Sequence, residues 1–171
     1  MAELITERVC ADPEDEIVVF LIGMRINRWW KFWKWFAVAQ AMPKMLAELE
    51  ANKELGLLAV RLQFGLRNLW TLQYWKSAAH LHAYAHAQDK AHLPAWQDFN
   101  RSVGTSGDVG IWHETYVVPR GSFETIYVNM PRFGLGLAAP VFPAKGARAS
   151  AARRLAAMQP NETVPPIGDD A

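Results

Sequence analysis

The chain has 171 residues, 51% of them hydrophobic and 20% charged, which suits one domain with an ample core and a tail. A formal net charge of +1 excludes a strong electrostatic pull toward nucleic acid, and a lone cysteine, Cys10, excludes an internal disulfide. Residues 1–16 are polar and acidic, the reverse of a signal peptide. The apolar run 17–24 is far shorter than the roughly 20 residues a membrane span needs. The expectation is a cytoplasmic protein with no nucleic-acid partner and no membrane contact.

Residues 16–27 (EIVVFLIGMRIN) are rich in β-branched side chains and read as a strand. Val18, Phe20, Ile22, Met24 and Ile26 make one face wholly apolar, while the other turns polar at Arg25 and Asn27. Residues 29–50 then read as helical, with Pro43 opening the second half and Met42, Met45, Leu46 and Leu49 at helical spacing. Asn52 and Gly56 end that helix. Residues 57–64 (LLAVRLQF) and 70–75 (WTLQYW) alternate as strands around a turn at 65–68, forming a hairpin. Ser77 caps a helix to about residue 88, and a second helical segment covers 91–103, with Pro94 in its first turn. Residues 109–118 (VGIWHETYVV) and 123–130 (FETIYVNM) read as strands joined by Pro119-Arg120-Gly121. Residues 147–158 read as a short helix and 160–171 as disordered.

The order β-α-β-β-α-β with one further strand predicts an α+β protein, ferredoxin-like (split βαβ), of the dimeric α/β-barrel type. The predicted division is an N-terminal arm over 1–15, the α+β domain over 16–131 and a C-terminal extension over 132–171. Both faces of several strands are apolar: Val109, Ile111 and Val117 point one way, Trp112, Tyr116 and Val118 the other. One layer of helices cannot cover both, so a homodimer packed sheet against sheet is expected.

The candidate chemistry sits on few residues. His113 falls on the strand face of Ile111 and Thr115, away from Trp112 and Glu114, as a lone ionisable group among apolar neighbours, which suits a general base. His92, Trp96 and Asn100 share a helix face, making His92 the second candidate base. Arg25, Trp75, Trp96, Trp112, Tyr127 and Asn129 supply aromatic surface and hydrogen bonds for a small hydrophobic substrate. Thr125, Tyr127 and Asn129 form a polar stripe, with further stripes at Arg61, Gln63 and Gln73. Glu114 and Glu124 read as salt-bridge partners of Arg25 or Arg61. His82 and His86 are four apart, but no second cluster offers a third ligand, so no metal is expected. The segment WWKFWKWF (29–36) spreads its aromatic side chains around all sides of a helix, and burial at a dimer edge or pocket mouth is expected for it.

The stretches VVFLIGMRINRWWK, AMPKMLAELE, QYWKS, HLPAWQDFNR, GDVGIWHETY and ETIYVNMPRFGL, in that order, resemble a monooxygenase-like family of small bacterial and fungal proteins. The likeness runs over 17–137 and more loosely through the 148–155 helix; the tryptophan-rich 29–36 segment departs from the family's usual pattern. The family stands near the antibiotic-biosynthesis monooxygenases, dimeric α/β barrels that oxidise aromatic polyketides without metal or flavin, and includes a fungal relative assigned to terpenoid oxidation. The resemblance implies a cofactor-independent monooxygenase in which His113 or His92 removes a substrate proton and Asn129, Arg25 and Trp112 hold the anion. Haem held by His80, His82, His86 or His92 is the alternative, and a non-catalytic binder of a hydrophobic metabolite is a third.

Overall fold

The computed structural model describes residues 3–87, 90 and 92–158, without the side chains of His92, Leu93, Ala95 and Met158. The expected disorder of 160–171 lies outside the described residues. In chain order the elements are β1 (Val9–Ala11), β2 (Ile17–Ile26), α1 (Phe32–Ala39), α2 (Ala41–Ala51), β3 (Leu57–Phe64), β4 (Asn68–Trp75), α3 (Ala78–His86), α4 (His92–Ser102), β5 (Val109–Val118), β6 (Val141–Pro143) and α5 (Ala151–Met158). They fall into two compact units, Ile17–Val117 and a second made of Met1–Glu16 with Val118–Ala171.

The larger unit is a four-stranded sheet in the order β3-β4-β2-β5. Counted within the unit, that is second, third, first, fourth, the strand order of a ferredoxin-like fold. β2 pairs antiparallel with β4, Val18 opposite Trp75 and Met24 opposite Leu69, and β3 pairs antiparallel with β4. The Asn27 amide donates to the Asp108 carbonyl, so the end of β2 meets the start of β5 and that pair is antiparallel too. The chain is therefore an α+β protein with the connectivity its alternation predicts.

The pleat sorts the side chains. Val18, Leu57 and Trp75 meet Leu49 of α2 and Tyr84 of α3 in one buried cluster; Met24, Ile26 and Val109 meet Val103 in another. Leu49, at 2% exposed, carries about 1.5–3 kcal/mol of burial free energy on the usual area scale. On the opposite face Trp70 and Trp112 approach with ring centroids 6.2 Å apart, on strands either side of β2. Gly23 of β2 is what gives them room, since a Cβ there would lie 2.4 Å from the Trp70 Cβ. Gly56 has a similar duty. It sits at φ 92°, where other residues are strained, and a Cβ would strike the His80 ring at 2.6 Å.

Two expectations are corrected. The helix read over 29–50 is broken at Gln40 into α1 and α2. Pro43 explains the break, because proline has no N–H for the Ala39 carbonyl and its ring crowds that group. The fifth strand over 123–130 does not form. In place of a ladder, isolated bridges join Ile5 to Met130 and Val9 to Tyr127, and Asn129 at φ 53° interrupts the extended backbone.

In the smaller unit, β1 pairs antiparallel with β6, which neither the arm nor the extension predicted. The Thr125 hydroxyl accepts from the Ala11 amide and the Tyr127 hydroxyl from that of Gly136. Arg154 is buried, donating to Glu124 and to the carbonyls of Arg148 and Ala149, which anchors α5. Asp12 receives Arg148 and Arg120. Glu124 is thus satisfied by Arg154, not by the arginines of the larger unit named from sequence.

Among the described residues of the larger unit one carboxylate is fully buried, Asp108, at 0% exposed. Arg28, Lys31 and Lys34 converge on it at 2.9, 2.9 and 2.7 Å. Lys34 foremost, then Lys31, hold its carboxyl well below the ordinary range, against burial, which alone would raise it. A depressed folded-state pKa stabilises above the unfolded value of about 3.9, and that contribution disappears as pH falls through the lower, folded value. Asp108→Asn is therefore expected to lower the melting temperature by several degrees at pH 7, with the gap to the parent chain closing toward pH 2. A pH-independent gap in thermal melts would contradict this account.

Candidate functional site

Between the helix-facing side of the sheet and the α1–α2 break lies a cavity of about 680 Å³, wholly within the larger unit. That is within the roughly 300–1,000 Å³ typical of small-molecule sites. Ile22, Met24, Ile111 and Leu62 form its sheet wall, Val38, Met42 and Met45 its α1–α2 wall, and Trp96 and Phe99 its α4 wall. The Trp96 and Phe99 rings stack at 5.7 Å, and Leu62, Phe64 and Trp96 are exposed, marking the mouth. The Pro43 break builds the site, because residues on both sides of Gln40 line it.

One polar group lies in the sheet wall. Thr71 of β4, 0% exposed as a residue, accepts a hydrogen bond at 3.0 Å from Gln73 Nε2. Gln73 in turn accepts from Trp75 Nε1 at 2.9 Å. The three alternate on one face of one strand, so the pleat alone lines them up. Direction is set by Trp75, whose indole N–H can only donate. It claims the amide oxygen of Gln73, which turns the amide nitrogen to Thr71 and makes the threonine oxygen an acceptor. The Thr71 hydroxyl hydrogen takes no part in that row, and Thr71 is among the residues that line the cavity. A smaller void beyond it, lined by Phe20, Met45, Trp75 and Tyr84, continues the apolar layer. Tyr84 donates to Glu48 at 2.9 Å, and burial together with that carboxylate pushes its phenol up from the ordinary value.

The residues singled out from sequence are dispersed. His113 is on the helix-facing side of β5, its ring 5.8 Å from that of Phe20. It follows Ile111 on the same face, about 7 Å along the strand. His113 is exposed in the single chain. His92 opens α4, but its side chain lies outside those described. Trp96 lines the cavity. Trp75 is core, reaching the cavity only through Gln73 and Thr71. Arg25, bonded to Asn68 at 3.4 Å, and Trp112 lie on the opposite sheet face. Tyr127 and Asn129 belong to the smaller unit and are not among the lining residues. His80 is bonded to Ser77, and His82 stacks on His86 at 4.0 Å; none of the three lines the cavity. Among the described residues no group of three potential metal ligands occurs.

Sequence reasoning missed Thr71, Phe99 and the methionines of α2 as lining residues. The signal for Thr71 was present, because it shares the parity of Gln73 and Trp75. Nothing in the sequence said that a cavity would open beside that stripe and not beside those of Arg25 or Asn129.

Comparison with known proteins gives a consistent placement. Residues 17–135 match the family model described as Monooxygenase af470-like. A relative from Aspergillus fumigatus, "Monooxygenase af470", is 34% identical over 93 residues, 52% of this chain; the chain spans only 32% of that relative's length. Distant likeness is found to SnoaB, a cofactor-independent oxygenase from Streptomyces nogalater, at 14% identity and TM-score 0.38, covering 59% of this chain and 91% of that one. A dimeric ferredoxin-like protein of unknown function from Jannaschia sp. CCS1 gives 19% identity and TM-score 0.41, covering 57% and 97%. The family match covers well over half of the sequence and includes all four strands of the larger unit's sheet. The chain belongs to the Monooxygenase af470-like family.

Proposed function

We propose that the larger unit is the substrate-binding part of a cofactor-independent monooxygenase that oxidises a small, flat or terpenoid-like apolar molecule. The observation that supports this most is the apolar cavity with a single oriented hydroxyl, Thr71, in its sheet wall. In such chemistry a base removes a proton from an activated CH₂, and the resulting carbanion reduces O₂. Radical recombination gives a hydroperoxide, which loses water to leave a carbonyl. Overall, CH₂ and O₂ become C=O and H₂O, and all the electrons come from the substrate. The protein need supply only a dry site, a base and a donor for the developing oxyanion.

Thr71 is the donor in this proposal and His113 the base, one residue pair along β5 from the cavity wall at Ile111. A homodimer joined through the apolar, tryptophan-bearing sheet face, opposite to that of His113, belongs to the same proposal. Trp96 and Phe99 would grip a flat substrate at the mouth.

With an anthrone as the model substrate, the chain should raise dissolved-oxygen consumption above the buffer rate. His113→Ala should reduce that increment by about 10², the scale of losing acid–base assistance. Tight anthrone binding with no oxygen uptake would instead indicate a binding protein. Thr71→Val should weaken anthrone binding by about tenfold, equal to one lost hydrogen bond. Unchanged affinity would remove Thr71 from the site. Sedimentation at micromolar concentration should give about twice the 19.3 kDa chain mass, and a monomer there would overturn the dimer.

A further inference from the structure

One end of the larger unit carries an aromatic surface that shares only Phe64 with the cavity mouth and the sheet. The Ile26 amide donates to the Arg67 carbonyl at 2.8 Å and the Asn27 amide to that of Asp108 at 3.1 Å. These bonds gather three connections at that end, β2–α1, β3–β4 and α4–β5. On them stand Leu66, 86% exposed, Phe64, 73%, and Trp30, 69%, with Phe32 and Trp33 also largely exposed. Tryptophans interleaved with lysines around a helix predict no apolar stripe. The structure resolves that objection. Lys31 and Lys34 turn inward to Asp108, and Trp35 folds back, donating from Nε1 to the Trp29 carbonyl at 3.0 Å. What remains outward at the start of α1 is aromatic.

The charge at this end is one-sided. Across residues 25–34, 64–68 and 104–109 the charged groups are Arg25, Arg28, Lys31, Lys34 and Arg67 against Asp108 alone, in a chain of net charge +1. An excess of cations over one acid beside exposed tryptophan and leucine fits one kind of partner better than a second protein core. Tryptophan prefers the headgroup level of a bilayer, and cations there meet anionic lipid. A second copy of the chain would bring the same cations into opposition.

We propose that this end of the larger unit docks peripherally on anionic membranes, inserting Trp30, Trp33, Phe32 and the Phe64–Leu66 hairpin tip to headgroup depth. Among the described residues no helix is long and apolar enough to cross a membrane, so the contact lies in the interface plane. The site revises the expectation of no membrane contact, and it stands independently of the proposed reaction. It also brings Phe64, which lines the cavity at its mouth, to a reservoir of apolar molecules.

The test is flotation of the full chain with vesicles of phosphatidylcholine and phosphatidylglycerol at 7:3, against phosphatidylcholine alone. The expected result is flotation with the anionic vesicles, weakened by raised salt. Trp30→Ser with Trp33→Ser should reduce the partition by about tenfold or more, the scale of withdrawing a buried aromatic side chain. Leu66→Ser at the hairpin tip is the second variant, and it decides the matter should the double variant melt abnormally. Failure of the parent chain to float overturns the proposal, as does flotation undiminished in the variants. So does a variant that changes sedimentation from dimer to monomer, which would make the surface an interface between copies.

Discussion

A buried carboxylate organises the larger unit. Asp108 lies where β5 begins, and an unpaired charge at a fully buried position would be prohibitive. It is met by Arg28, Lys31 and Lys34, the two lysines three residues apart at the start of α1. The cluster ties the loop after β2, the start of α1 and the α4–β5 loop into one knot. With α1 fastened at that end, the rest of the helix must run over the sheet toward Gln40. There Pro43 interrupts it and the second helix takes a new direction. The cavity opens at that interruption, so the placement of the site follows from a charge and a proline.

The same knot decides what the surface shows. Lysines that would ordinarily reach solvent are drawn inward, and the aromatic side chains between them are left outside. At the first turn of α1 the usual arrangement of an amphipathic helix is altered, because the Asp108 carboxylate draws two ammonium groups within hydrogen-bond distance, while Trp35, Val38 and Ala39 still pack on the core.

Inside the cavity, polarity is sparing and directed. Trp75, Gln73 and Thr71 form a chain in which a donor-only indole orients an amide and the amide orients a hydroxyl. Each group is buried and each is paired, which makes the row affordable in a core. Both the His113 and Thr71 parities follow from the pleat, with Phe20 and Ile111 as their neighbours.

The chain by itself determined the strands of the sheet, their faces and the capped helix at Ser77, whose hydroxyl does accept from the His80 amide. Alternation over 17–26, 57–64, 68–75 and 109–118 is a local property, since each face repeats every second residue whatever the rest of the protein does. The side of β5 occupied by His113 was legible for that reason. The 123–130 segment also alternates, yet no strand formed, because its backbone bonds went to the N-terminal residues and Asn129 left the extended region. What only the tertiary structure decided were matters of pairing across the sequence: Asp108 with cations some 75 residues earlier, Glu124 with Arg154, β1 with β6, and the cavity beside Thr71. Polar stripes at Arg25, Gln73 and Asn129 look alike in sequence, and they differ only in what packs over them. Burial and cavities are properties of several elements at once, and no local period encodes them.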